Sequence, residues 1–246
     1  TGALLALALP PDAPWWLPVL GGLFAVALGK QVYGGIGFNP FNPAMVGYVV
    51  LLISFPVAMT AWPAPHLAWA ADAVSQATAL DHVRTELTQG RTLSEIQLDP
   101  GFAGHQLRGW LWVSLAYLAG GLFLLQQRTI GWQIPLGVLL GMGLMALIFW
   151  GVDSDRYASP LFHWTSGAAM LGAFFIATDP VSASTTPRGR LLFGLGVGAL
   201  TWIIRSWGGY PDGFAFAVLL MNILAPTLDR YTPTRVYGTG RRPERP

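Results

Sequence analysis

The chain contains no cysteine. That excludes disulfides, thiol redox chemistry and thiolate-ligated iron–sulfur clusters within this chain. Charge is scarce: only 11% of the 246 residues are charged, against roughly 25% in soluble domains. A net charge of +2, with no basic patch, leaves no footprint for nucleic acid. The four histidines (His66, His82, His105, His163) have no metal-ligand spacing. No Ser/His/Asp constellation, P-loop or dinucleotide fingerprint occurs, so a soluble-type enzyme lacks its parts.

What remains is apolar. Hydrophobic residues make up 53% of the chain and the mean hydropathy is +0.48. Eleven tryptophans, mostly near segment ends, fit interfacial belts. These features describe an all-α polytopic membrane protein. Apolar segments fall near 1–9, 17–29, 43–60, 110–126, 133–150, 161–178, 191–206 and 213–229. Several approach the roughly 17–25 residues needed to cross a bilayer; the first two are short. Thr1–Leu5 begins inside an apolar run, so further residues are expected upstream. One long polar loop lies between 60 and 110, and from Tyr231 the tail is rich in Pro and Arg.

Orientation follows from Lys and Arg in short loops. With the tail (Arg235, Arg241, Arg242, Arg245) placed in the cytoplasm, Arg188, Arg190, Arg128 and Lys30 also fall inside. The acidic turn Asp153-Ser154-Asp155 and the 61–109 loop then fall outside. Arg205 is the exception, at the outer end of its helix.

The stretch Gly34–Met45 cannot continue a helix, because its glycines and two Asn-Pro pairs break one. Pro43 suits the first turn of a new helix, with Asn42 as its cap. A related pattern recurs: Gly21–Lys30, Gly34-Gly35 and Asn42-Pro43-Ala44 parallel Gly194–Leu200, Arg205, Gly208-Gly209 and Tyr210–Gly213. Thr1–Pro10 likewise parallels Ser166–Phe175. An odd number of spans between the units inverts the second, the arrangement of transporter folds with interrupted helices. The expected architecture is two inverted repeats of five helices with the first truncated: about eight segments visible and ten in a full chain. The regions are 1–60 (three segments of the first repeat), 61–109 (outer loop), 110–230 (second repeat) and 231–246 (tail).

Three stretches carry candidate chemistry. In Asp72–Asp81, Ser75-Gln76-Ala77-Thr78 reads on composition as a polar turn with Thr78 capping a helix. In Thr178–Arg190, the hydroxyls, Asp179 and the arginines can hold an anion or a polar ring, or simply cap both helix ends. An acid this near the membrane is costly unless paired. In Arg205–Gly213, Arg205 and Asp212 read as a structural clamp.

Gly34–Met45, Ser75–Asp81, Thr178–Arg190, Gly208–Phe214 and Arg235-Val236-Tyr237-Gly238 together resemble the D subunit of Rnf (Rsx) electron-transport complexes. The B subunit of the sodium-translocating NADH:quinone reductase is the more distant relative. The resemblance implies an FMN joined by a phosphoester to a threonine hydroxyl, here Thr78, flanked by Ser75, Gln76 and Ala77. Gln76 stands where the family usually has glycine. It also points to a second, non-covalent flavin, riboflavin, without assigning its residues.

By this resemblance, the chain is a bacterial inner-membrane subunit not active alone. Its complex passes electrons between NADH and ferredoxin and moves Na⁺ or H⁺. Its partners are Fe–S and flavin subunits and membrane lipids. Thr78 is expected on the periplasmic side and the C-terminus in the cytoplasm. Asn39, Asn42, Asp179 and Ser182 are candidates for the ion path or the second flavin, with helix capping as the competing role. Two further alternatives are a passive channel for a small polar solute and a purely structural scaffold, neither carrying flavin.

Overall fold

The computed structural model describes residues 1–62, 78–99, 107–210 and 212–234. Every regular element among them is helical. The first unit contains α1 (Gly2–Ala8), α2 (Trp16–Ala27), α3 (Pro43–Ser54) and α4 (Pro56–Thr60). The loop contributes α5 (Ala79–Thr88) and α6 (Leu93–Gln97). Then come α7 (Leu107–Gln126), α8 (Gln133–Val152), α9 (Pro160–Thr165), α10 (Ala169–Leu171) with a π-turn over Gly172–Ile176, α11 (Pro187–Trp207) and α12 (Phe214–Tyr231).

Four stretches among the described residues are long and apolar enough to cross a membrane: Trp16–Tyr33, Gly109–Gln126, Gln133–Val152 and Phe214–Tyr231. This is the composition of a multi-pass membrane protein. Two expected segments are not continuous helices. The 43–60 segment ends one helix at Ser54 and starts another at Pro56, because proline has no N–H to continue the ladder. The 161–178 segment breaks at Ser166-Gly167-Ala168, where Gly167 takes a left-handed φ of 62° that suits glycine.

Glycine sets how closely the helices approach. The most extensive pair is α8 with α11, and it crosses through Gly137 and Gly141 on one side and Gly194 and Gly198 on the other. A Cβ at Gly137 would lie 2.7 Å from the Leu191 carbonyl, and one at Gly198 would run into the Val138 carbonyl and, at 2.7 Å, the Met142 nitrogen. Small residues of this kind let helix backbones meet in a membrane, where packing replaces the hydrophobic drive. The α2–α3 pair uses the same device at Gly21 and Gly47.

The main core joins both units. Leu5, Leu17, Met45 and Leu51 of α1–α3 pack with Val138, Phe174, Phe193, Phe214 and Val218. A separate small core forms under the loop from Ala79, Val83, Leu93 and Ile96, against Trp110 and Phe162. It seats α5 and α6 on one end of the bundle. Thr92 opens α6 with a reciprocal capping box to Glu95, which satisfies two otherwise orphaned backbone donors.

Candidate functional site

The break between α9 and α10 exposes backbone groups that a continuous helix would pair. Arg205 of α11 meets the carbonyl end: its Nη1 donates to His163 O at 2.8 Å and its Nη2 to Ser166 O at 3.2 Å. Ser114 Oγ donates to Thr165 O at 2.7 Å. Asp212 meets the amide end, where its Oδ2 accepts from the Ala168 N–H at 2.6 Å. The two charges also join each other, with Arg205 Nη2 3.2 Å from Asp212 Oδ2. A cation therefore sits at a helix C-terminus and an anion at the next N-terminus, each favoured by the helix dipole. The expected Arg205–Asp212 clamp is present, and it spans a break that the apolar sequence conceals.

Asp212 also accepts from Phe214 N–H at 3.1 Å in the first turn of α12. Asn42 does the equivalent work for α3, its Oδ1 accepting from Ala44 N–H at 3.0 Å and Met45 N–H at 3.3 Å. The cap expected at Asn42, with Pro43 following, is therefore present. Asn42 Nδ2 reaches across to donate to Ile176 O at 3.2 Å, at the end of the π-turn. Asn222 of α12 closes the same knot. With its carboxamide oriented to suit its neighbours, its nitrogen donates to Val218 O at 3.0 Å and its oxygen accepts from Asn42 N–H at 2.9 Å. Sequence reasoning missed Asn222. A lone amide inside an apolar helix was the available signal, because polar side chains in a membrane need partners.

The other expected site residues keep to local turns. Asn39 Nδ2 donates to Phe41 O at 2.9 Å. Asp179 accepts from Ser182 Oγ at 2.8 Å and from Val181 N–H at 3.3 Å. The hydroxyl run that follows does hold an anion, and the anion belongs to the chain. Asp229 of α12 accepts from Ser184 Oγ, from Thr185 N–H at 2.9 Å and Thr185 Oγ1 at 2.8 Å, and from Thr186 N–H at 3.2 Å. This carboxylate sits at the N-terminus of α11, again where the dipole favours it.

Thr78 is the N-cap of α5, its Oγ1 accepting from Asp81 N–H at 3.2 Å. Its flanking Ser75, Gln76 and Ala77 lie outside the described residues. Thr78 lines a cavity of about 150 Å³ whose walls include Tyr48, Trp62, Trp110, Tyr117 and Phe214, with Gly167, Ala168 and Asp212 of the helix break also on its lining. Trp62 and Trp110 meet edge to face, centroids 5.9 Å apart. Trp110 Nε1 is buried with no protein partner. The cavity thus combines aromatic walls, one unspent donor and an adjoining hydroxyl at a helix N-terminus.

Interrupted helices stitched by buried polar groups, with a cavity set against the break, mark a polytopic helical membrane protein. The chain belongs to the NQR2, RnfD, RnfE family, which it matches over residues 1–238. It is 55% identical to the D subunit of the ion-translocating oxidoreductase complex of Pseudomonas aeruginosa (strain LESB58), over 97% of this chain and 73% of that protein. It is 52% identical to the D subunit of the same complex in Klebsiella pneumoniae (strain 342), over 97% and 77%, and 52% identical to that of Escherichia coli O7:K1, over 97% and 76%.

Proposed function

We propose that this chain is a membrane component of an ion-translocating oxidoreductase complex and that it carries FMN on Thr78. Membership of the family supports the first part. The second part rests on one observation: the Thr78 hydroxyl stands at the N-terminus of α5 beside the aromatic cavity. A phosphoester there places phosphate oxygens at the positive end of the α5 dipole. Trp62, Trp110, Tyr48 and Tyr117 would hold the ring, and Trp110 Nε1–H would serve a polar atom on its edge. When bound, the flavin supplies one- and two-electron transfer, and the protein supplies position and electrostatics. The chain's own part is to fix the attachment point and to keep the cavity dry. Arg205 neutralises Asp212, so the carboxylate on the cavity lining does not present an uncompensated charge.

In this reading the complex passes electrons between NADH and ferredoxin while Na⁺ or H⁺ crosses the inner membrane. Partner subunits carry the Fe–S and remaining flavin centres, riboflavin is a second, non-covalent cofactor, and isolated chain has no turnover. The distribution of Lys and Arg supports a periplasmic Thr78 and a cytoplasmic C-terminus. The glycine-rich breaks ahead of α3 and α12, each ending in a side-chain oxygen that accepts from the new helix's first amides, support the inverted repeat.

The test is ultraviolet fluorescence of the denatured chain in a gel. Wild type from cells able to attach flavin is expected to give a fluorescent band, and Thr78→Ala none. A dark wild-type band would favour the passive-channel or scaffold alternatives and sink the flavin reading. We place the ion path near Asn39, Asn42, Asp179 and Ser182; the Asn42 amide that reaches Ile176 O at the end of the π-turn supports this. Asn42→Ala and Asp179→Ala are expected to cut ion movement in vesicles while electron transfer continues. Unchanged pumping in both variants, at normal electron flow, would leave these residues with only their capping roles.

A further inference from the structure

A second and larger cavity, about 530 Å³, opens between α5–α6 and the ends of α8, α9 and α11. Thr78 is not on its wall. Two buried polar atoms of lining residues have no protein partner: Arg84 Nη1 and His163 Nδ1. The other Arg84 terminal nitrogen donates to Gly208 O, which fixes the guanidinium fork. His163 is 6% exposed. A buried charged donor left unpaired costs more than an ordinary hydrogen bond returns, so these two groups on lining residues call for an acceptor.

The remaining charges decide which acceptor. Arg205 is taken up by Asp212 and two carbonyls. Arg91 is paired with Glu86 at 2.6 Å, and this hydrogen bond raises its pKa. Asp153 already accepts from Asp155 N–H and Arg156 N–H, and Asp155 from Ser94 Oγ. Arg156 lies exposed on the lining, its guanidinium carbon 5.8 Å from the Tyr157 ring centroid, with no carboxylate partner among the described residues. The unspent groups are therefore two guanidinium groups and one imidazole nitrogen. Trp207, the last residue of α11, and Tyr157, in the turn between α8 and α9, share the lining, at the depth where aromatic residues meet lipid headgroups.

We propose that this cavity binds a phosphate ester, its oxygens held by Arg84 and Arg156 with His163 donating from Nδ1. Planar guanidinium forks match phosphate geometry better than any other side chain. The same chemistry comes from the headgroup of an anionic phospholipid or from a free phosphate, and two arms separate them. In the first, the full chain in neutral detergent is titrated with inorganic phosphate against chloride at matched ionic strength, reading the thermal midpoint. In the second, nanodiscs of phosphatidylcholine with or without phosphatidylglycerol are compared by the lipid retained in native mass spectrometry.

Saturable binding is expected in at least one arm, and the responding arm names the source. Arg84→Gln and Arg156→Gln are each expected to weaken it by about tenfold, the worth of one charge-assisted hydrogen bond. Arg84→Lys is expected to retain part of it. Thr78→Ala is expected to bind as wild type does, so loss of the flavin and loss of this site are distinguishable. No saturable response in either arm overturns the proposal, as does equal binding by folded Arg84→Gln and wild type. If Arg84→Gln does not fold, Arg156→Gln, altered at an exposed side chain, decides alone.

Discussion

Asp212→Ala is expected to destabilise the chain by about 3–5 kcal/mol, the cost of stranding a buried charge. The Arg205 side chain is 1% exposed, so it cannot turn to water when its partner is removed. The same change strips an acceptor from Ala168 N–H and Phe214 N–H at once. Asp212→Asn keeps one acceptor oxygen and loses the charge, so it is expected to fall between Ala and wild type. Thermal midpoints of the full chain in detergent measure the series. An Asp212→Ala protein as stable as wild type would mean that Arg205 needs no counter-charge. The cavity beside Thr78 gives a second readout: Asp212 is on its lining with Gly167 and Ala168, so under the proposed attachment a relaxed break is expected to reduce flavin on Thr78.

Gly198→Val is expected to cost about 1–3 kcal/mol or more by overpacking the α8–α11 crossing. The added Cβ would meet the Val138 carbonyl and the Met142 nitrogen, both backbone atoms on the facing helix. No rotamer relieves that contact, so the helices must separate along a line that also includes Gly137, Gly141 and Gly194. Gly22→Ala supplies the opposite sign. Nothing lies within 4 Å of a Cβ at Gly22, and alanine in a helix gains roughly 0.5–1 kcal/mol over glycine. Equal effects of the two substitutions would rule out the close crossing as their cause.

The legible parts of this protein were those written locally. Asn42 caps the helix that Pro43 begins, and Thr78 caps α5, because each needs only neighbours two or three residues away. The Arg205–Asp212 pair joins residues seven positions apart across a turn, and the family fingerprint covered most of the chain. The α9–α10 break was not legible. Ser166-Gly167-Ala168 contains no proline and lies in an apolar run, and it is held by Arg205, Asp212 and Ser114, all far off in sequence. The role of Asp229 was hidden for the same reason. The hydroxyls at Ser184–Thr186 announced an anion site, but their partner lies more than forty residues away. Neither cavity could be read, since each is enclosed by several elements that only folding brings together.

Asp229 and Arg205 together have a mechanical consequence. Asp229 ties the start of α11 to the end of α12, and Arg205 ties the end of α11 to Asp212, two residues before α12. The two helices are thus pinned to each other at both extremities by charged groups and behave as one stiff body. Across the knot of Asn42, Ile176 and Asn222, neutral hydrogen bonds from the first unit meet it inside the apolar core that both units share.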